Sequence, residues 1–484
     1  MDMIKVRTII LGLSFSSTAL LCGCSKDSSF TEVIAETSNE TTEESGVLVS
    51  ATLKSVIPAS NVADILGQFN EIPAPNLLGI DLSELGLELR TYRLVYKTKD
   101  NRGQQIQLSG DVSYLANPIL PRARILESVS LFHPAFFTDE SWSTEYEQYA
   151  FPGRSIHNAL VVHPHYQGVY EGRKPEYVEG HPVTVAELLL KARQSIDCEL
   201  AAIELINGLE GVALMPGYYT ENIGLSCGAG VALATQYLLE NDPQLKAVNR
   251  KSIRLTGTYC CEGCYSYSGL LSKLMEVVPY EESLEEFTSM EDFKPACLIA
   301  VIVGAYDTWK GLKDQDGNEF FAGVDDVREY FSPEFLNSDN LFEDDGRKIT
   351  DIIGYFRSGM LNAHSRIFKR AGFLSSTMIN PELLDSDNEI DTANPKMKAL
   401  LDALAQNDRI LSGWNPTARL CISHSMDDEF VPYSQAFGVY KSLSKNGTNR
   451  NVILQTVPGL NHTEGNEYYM IKDIVIKKHP CLLW

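Results

Sequence analysis

Residues 221–240 read ENIGLSCGAGVALATQYLLE, which sets Ser226 between Gly224 and Gly228 with a run of small residues behind it. A serine hydroxyl so placed could attack a carbonyl carbon and carry an acyl group. It would need a base to take its proton and a carboxylate to hold that base in one tautomer. The five-residue pattern is short enough to arise by chance, and the same letters suit a glycine-rich helix start. The surroundings have to decide. Downstream stand a candidate histidine, His462 in VILQTVPGLNHTEG, and several acids in ARLCISHSMDDEFVP, residues 418–432.

The elements that would position these residues are legible as alternating runs. Arg90–Thr98 and Gln105–Leu115 alternate apolar and polar residues around KDNRG, a hairpin signal. Short apolar runs at Val129–Phe132, Ala159–His163, Asn222–Leu225, Ile253–Thr258, Ala418–Ser423 and Asn451–Val457 suit strands of a mostly parallel sheet covered on both faces. Leu189, Ala192, Ile196, Leu200 and Ile203 repeat at helical spacing, as do Phe437, Tyr440 and Leu443 ahead of an Asn446-Gly447 cap. Strands alternating with helices predict a doubly wound α/β domain. Ser226 then falls between a strand ending at Leu225 and a helix from about Gly228 to Leu239. In such a turn bulky residues at 224 and 228 would clash, Ala229, Gly230 and Ala232 let the helix approach the sheet, and the helix N-terminus faces an oxyanion.

The segment after the penultimate strand resembles the HGxxDxxVP pattern of α/β-hydrolases. His424 takes the pattern's His, Ser425 its Gly and Asp428 its catalytic Asp; Asp427 lies one residue out of register. Glu262, just after the preceding strand, is a further candidate because some lipases place the acid there. The family order Ser, acid, His makes His462 the base, with one helix and one strand between it and Asp428. The resemblance implies an oxyanion hole from the N–H of Cys227 and one N–H of the loop LFHPAFF, residues 131–137. His133-Pro134 stands where related enzymes carry His-Gly. Proline has no N–H, which leaves Ala135 as the second donor. The family's PDYxGxG appears as Pro164-His165-Tyr166-Gln167-Gly168, its Asp replaced by His165. From about residue 90 to 478 the chain thus resembles the secreted esterase and lipase group. The resemblance implies an α/β-hydrolase fold: a mostly parallel twisted sheet with helices on both faces and a helical lid insert.

Composition narrows the partners. The 484 residues are 44% hydrophobic and carry 41 Lys and Arg against 64 Asp and Glu, a net charge of −23. A sizeable core is affordable on that count, and a nucleic-acid ligand, which needs a basic face, is disfavoured. Lys5 and Arg7 precede an apolar run from Ile9 to Leu21, too short to span a membrane. The run ends in Leu21-Cys22-Gly23-Cys24, which resembles the lipobox of bacterial lipoproteins, with Cys24 as the acylated residue; the other reading is an ordinary secretion signal. The lipobox implies export and a lipid anchor in the outer membrane, at the cell surface or its periplasmic face. Residues 24–50, rich in Ser, Thr and Glu, read as a tether.

The core is expected over 51–264 and 413–484, with 265–412 as a mainly helical insert after the sixth strand, acting as a lid or as fixed packing. In YCCEGC, residues 259–264, no second C-x-x-C pair completes a zinc site, so buried thiols are expected, with one disulfide after export as the other option. No cofactor or metal is called for. The expected chemistry is hydrolysis of a small-molecule or glycan-linked ester by Ser226, His462 and Asp428. A peptidase with the same triad, or a surface binding protein that keeps only the fold, are the rival readings; the oligomeric state is open.

Overall fold

The computed structural model describes residues 46–58, 88–116, 123–132, 159–165, 167, 187–275, 294–337, 343–344, 347–348, 351–357 and 375–469. Nine strands form one sheet: β1 (Leu48–Pro58), β2 (Glu88–Lys99), β3 (Gln105–Ala116), β4 (Ala123–Phe132), β5 (Ala159–His165), β6 (Val212–Leu225), β7 (Leu255–Cys261), β8 (Arg419–Ser425) and β9 (Val452–Val457). Their order is β1-β2-β3-β5-β4-β6-β7-β8-β9. The first three pair antiparallel, β3 meets β5 antiparallel, and every pair from β5 to β9 is parallel.

The β2–β3 turn forms at the KDNRG segment. Asp100 Oδ1 accepts the N–H groups of Arg102 and Gln104, and Gly103 takes φ +76°. β1 begins at Leu48, inside the stretch expected to be tether, because the Glu204 carboxylate accepts the N–H groups of Val47 and Leu48. β6 starts ten residues before the expected Asn222, beyond Pro216-Gly217, which reads as a turn but sits at a register shift against β4. The run at Ile253 opens differently: Ile253 ends a π-turn, Arg254 turns left-handed at φ +58°, and β7 runs on to Cys261.

In the parallel half, consecutive side chains go to opposite buried faces. Cys260, Leu420 and Ile422 join one apolar cluster, Cys261 and Cys421 another. The first face is covered by α1 (Leu188–Gly208), which packs on α2 (Cys227–Asn241). Beyond these lie α3 (Tyr267–Met275), α4 (Lys294–Trp309) and α5 (Pro395–Leu404) of the insert, then α6 (Tyr433–Leu443) and α7 (His462–Tyr469). α4 is apolar all round and buried along nearly its whole length. Leu298, Ile299, Val301, Ile302 and Val303 belong to the same cluster as Ala229, Ala232 and Leu233 of α2. The insert and the helical layer of the sheet therefore share one core. Among the described residues, no helix is long and apolar enough to cross a membrane.

Candidate active site

Ser226 sits between β6 and α2 with φ +53° and ψ −120°, a conformation a non-glycine residue adopts only when its surroundings impose it. Three backbone bonds do so. Ser226 N–H donates to Cys261 O at 2.8 Å, and Ser226 O accepts from Ala229 N at 3.0 Å and Cys264 N at 3.3 Å. A Cβ at Gly224 would meet the Gly228 carbonyl and stand 2.7 Å from Ala229 Cα. One at Gly230 would meet Cys264 O, with Leu188 Cδ2 at 3.0 Å. The glycines are thus required by close approach of strand, helix and the loop after β7.

The structure brings Ser226, His462 and Asp428 together. Ser226 Oγ lies 2.9 Å from His462 Nε2, and His462 Nδ1 lies 2.7 Å from Asp428 Oδ2. A carboxylate can only accept, so Nδ1 carries the proton and Nε2 offers its lone pair to the Ser226 hydroxyl. All three side chains are buried. His462 opens α7; its N–H donates to Glu429 Oε2 at 2.9 Å, and Asn466 Nδ2 lies 3.1 Å from its Nε2. The ring centroid of Phe430 is 5.3 Å away.

The loop carrying the acid explains its own sequence pattern. His424 Nε2 donates to Val431 O at 2.9 Å, while Asp428 Oδ1 accepts the N–H groups of Phe430 and Val431, both at 2.8 Å. Ser425 Oγ donates to Leu460 O, tying this loop to the one that leads to His462. Asp427 turns away and accepts Gly459 N–H at 2.5 Å. Burial acts to raise the Asp428 pKa, but His462, hydrogen-bonded to it, and the neighbouring His424 outweigh burial and hold the carboxyl well below its usual range.

Cys227 is the first residue of α2, so its N–H is among those the helix leaves without an internal partner. Its thiol is pushed up to about 12, first by burial, and is poorly suited to act as a nucleophile. His133, Ala135, Cys24 and the expected tether as far as residue 45 lie outside the described residues. Cys198, Cys227, Cys260, Cys264 and Cys297 are free thiols, and these five, Cys261 and Cys421 are all buried. His165 does not join the triad: its Nδ1 meets Ser109 Oγ at 2.9 Å, and it lies beside Asp111, which pairs with Arg93 and Lys54. A cavity of about 170 Å³ lined by Glu187, Trp309, Phe320 and Arg409 contains none of the triad residues. Glu429 and Asn466 escaped the sequence reading: Glu429 reaches His462 from the loop after β8, and Asn466 reaches back along α7 from four residues on.

No family model and no curated relative matches the chain. Solved structures do. The rice cell wall degrading esterase LipA of Xanthomonas oryzae is 15% identical at a TM-score of 0.63, over 91% of this chain and 99% of that one. A protein from Legionella pneumophila is 17% identical at 0.59, over 89% and 97%. Candida antarctica lipase A, in its closed state, is 12% identical at 0.53, over 90% and 82%. The chain has the α/β-hydrolase fold: a mixed, mostly parallel nine-stranded sheet with flanking helices.

Proposed function

We infer that the protein is a serine hydrolase acting on carboxylic esters through an acyl-enzyme. The observation that carries this is the unbroken chain from Ser226 Oγ through His462 to Asp428 Oδ2, set on a left-handed turn at a helix N-terminus. Ser226 attacks the ester carbonyl as His462 Nε2 takes its proton. The imidazolium, paired with Asp428, then protonates the leaving alcohol. A water activated by the same nitrogen releases the acid. The N–H of Cys227, joined by Ala135, holds the oxyanion. Structural neighbours called esterase and lipase favour the ester reading over the peptidase, and a small-molecule or glycan-linked ester as substrate. Export as a lipoprotein acylated at Cys24 completes the proposal. The test is a panel of esters varied in acyl length and in the alcohol, sugars included, run beside matched amides on wild type and Ser226→Ala. Ester turnover that vanishes in Ser226→Ala supports the reading; amide turnover at equal or higher rate overturns it.

A further inference from the structure

Glu262 follows β7 directly and is completely buried, yet it holds φ +47°. Its N–H donates to Ser423 O at 2.9 Å, which fixes the backbone against β8. Oε1 accepts one hydrogen bond, from Ser425 N at 2.8 Å. Oε2 receives none from any described donor. Within its reach are His424 Nε2 at 3.5 Å, whose proton goes to Val431 O, and the Asp428 carboxylate, whose Oδ2 flanks the same nitrogen at 3.3 Å. Carboxylate oxygens of Glu262 and Asp428 and a ring nitrogen of His462 lie within 4.8 Å of one another. On α7, one turn past His462, a Cβ at Gly465 would collide with the Glu262 carboxylate, so that helix leaves room for this side chain.

Two carboxylates in a dry pocket cannot both ionise cheaply. Asp428 has two backbone N–H groups and His462 Nδ1–H to hold its charge. Glu262 has one backbone N–H and otherwise faces an acceptor. Among the described residues, the other titratable groups around it are His424 on β8, Glu429 beside Asp428, His462 on α7 and the Tyr265 hydroxyl. Of these, His462 and His424 are the bases within reach of it; His462 is already committed to Asp428, and the Nε2 proton of His424 to Val431 O. Among the described residues His424 Nδ1 meets no partner, so a second proton there would be stranded.

We propose that Glu262 is a positioning residue held as a neutral carboxylic acid, its O–H donated to Asp428. The inference rests on the triad reading above. A neutral Glu262 leaves one negative charge behind His462 rather than two. A second charge would stabilise the imidazolium and keep the base protonated where it must accept the Ser226 proton. Burial, then the Asp428 charge, pushes the Glu262 carboxyl up to about 10, in keeping with this geometry.

The test compares Glu262→Gln, which keeps one donor and one acceptor, with Glu262→Leu, which keeps neither. Glu262→Leu should lower kcat about ten- to a hundredfold with KM little changed, the worth of a hydrogen bond to a charged group, and move the acid limb of the kcat/KM profile upward. Glu262→Gln should restore most of the rate and the limb. Infrared difference spectra at pH 7 need no activity: wild type minus Glu262→Gln should show a carboxylic-acid carbonyl band that shifts in D2O. A carboxylate pair in its place, or a Glu262→Gln variant as impaired as Glu262→Leu, would overturn the proposal. The same spectra taken in a Ser226→Ala background separate its failure from failure of the triad reading.

Discussion

His462 Nδ1 points at Asp428 Oδ2 across 2.7 Å, while the carboxylate of the adjacent Asp427 is spent on the Gly459 N–H. One residue of register separates an acid that can hold the imidazole from one that only braces a turn. Asp428→Asn should fold normally and lower kcat by about 10⁴ at neutral pH, because it permits the wrong tautomer. Asp427→Asn should cost less than about tenfold, the loss of one exposed turn contact. Parallel kcat measurements on the two variants decide between them, and an Asp427→Asn variant as crippled as Asp428→Asn would displace the assignment.

Ser226→Ala should abolish labelling by a fluorophosphonate probe and lower kcat by about 10⁶, the scale set by triads that act as a unit. Because the thiol of Cys227 is buried and its pKa raised, Cys227→Ala should still be labelled. Gel-based labelling of both variants is the measurement.

Gly224→Ala should be destabilising by about 1–3 kcal/mol, the usual range for an overpacked core, since the new methyl meets backbone rather than a movable side chain. A thermal melt should show it, and labelling should weaken with it because the elbow must shift.

Glu262 gives a pH dependence with a definite sign. Its carboxyl is raised to about 10 from an ordinary value of 4.5, so its contribution to stability is fully present below pH 4.5 and is lost as pH climbs towards 10. The slope is at most about 1.4 kcal/mol per pH unit for one proton. Replacing it by glutamine removes the titration. Melts between pH 5 and pH 9 should therefore fall more steeply for wild type than for Glu262→Gln; parallel curves would count against a raised value.

The lipobox reading predicts that Cys24→Ser moves the protein from membrane fractions to the soluble fraction, with the anchor's mass lost. Fractionation and intact mass report it.

The sequence carried the site better than it carried the edges of the sheet, for physical reasons. Asp428 was legible because the residues spaced around it close its loop: His424 bonds to Val431, and Asp428 collects the N–H groups of Phe430 and Val431. That spacing is the bonding pattern itself. Glu429 contacts His462 only once α7 has docked, and no local pattern encodes it; Asn466 lies one helical turn past His462 on α7, a spacing legible only once the helix is known to start there. β1 was hidden because a half-exposed edge strand following a Ser- and Glu-rich stretch shows little apolar contrast. The early part of β6 was hidden by Pro216-Gly217, a turn signal overridden by pairing with β4.

The apolar cluster that runs from α2 into α4 bears on how this protein can be altered. Removing the stretch between β7 and β8, or grafting in its counterpart from a structural neighbour, would strip solvent-proofing from the helix that begins directly after Ser226. Such chimeras should aggregate rather than acquire a new specificity. Change in the insert would then be tolerated at its exposed positions, a few residues at a time, and not as exchange of the whole segment.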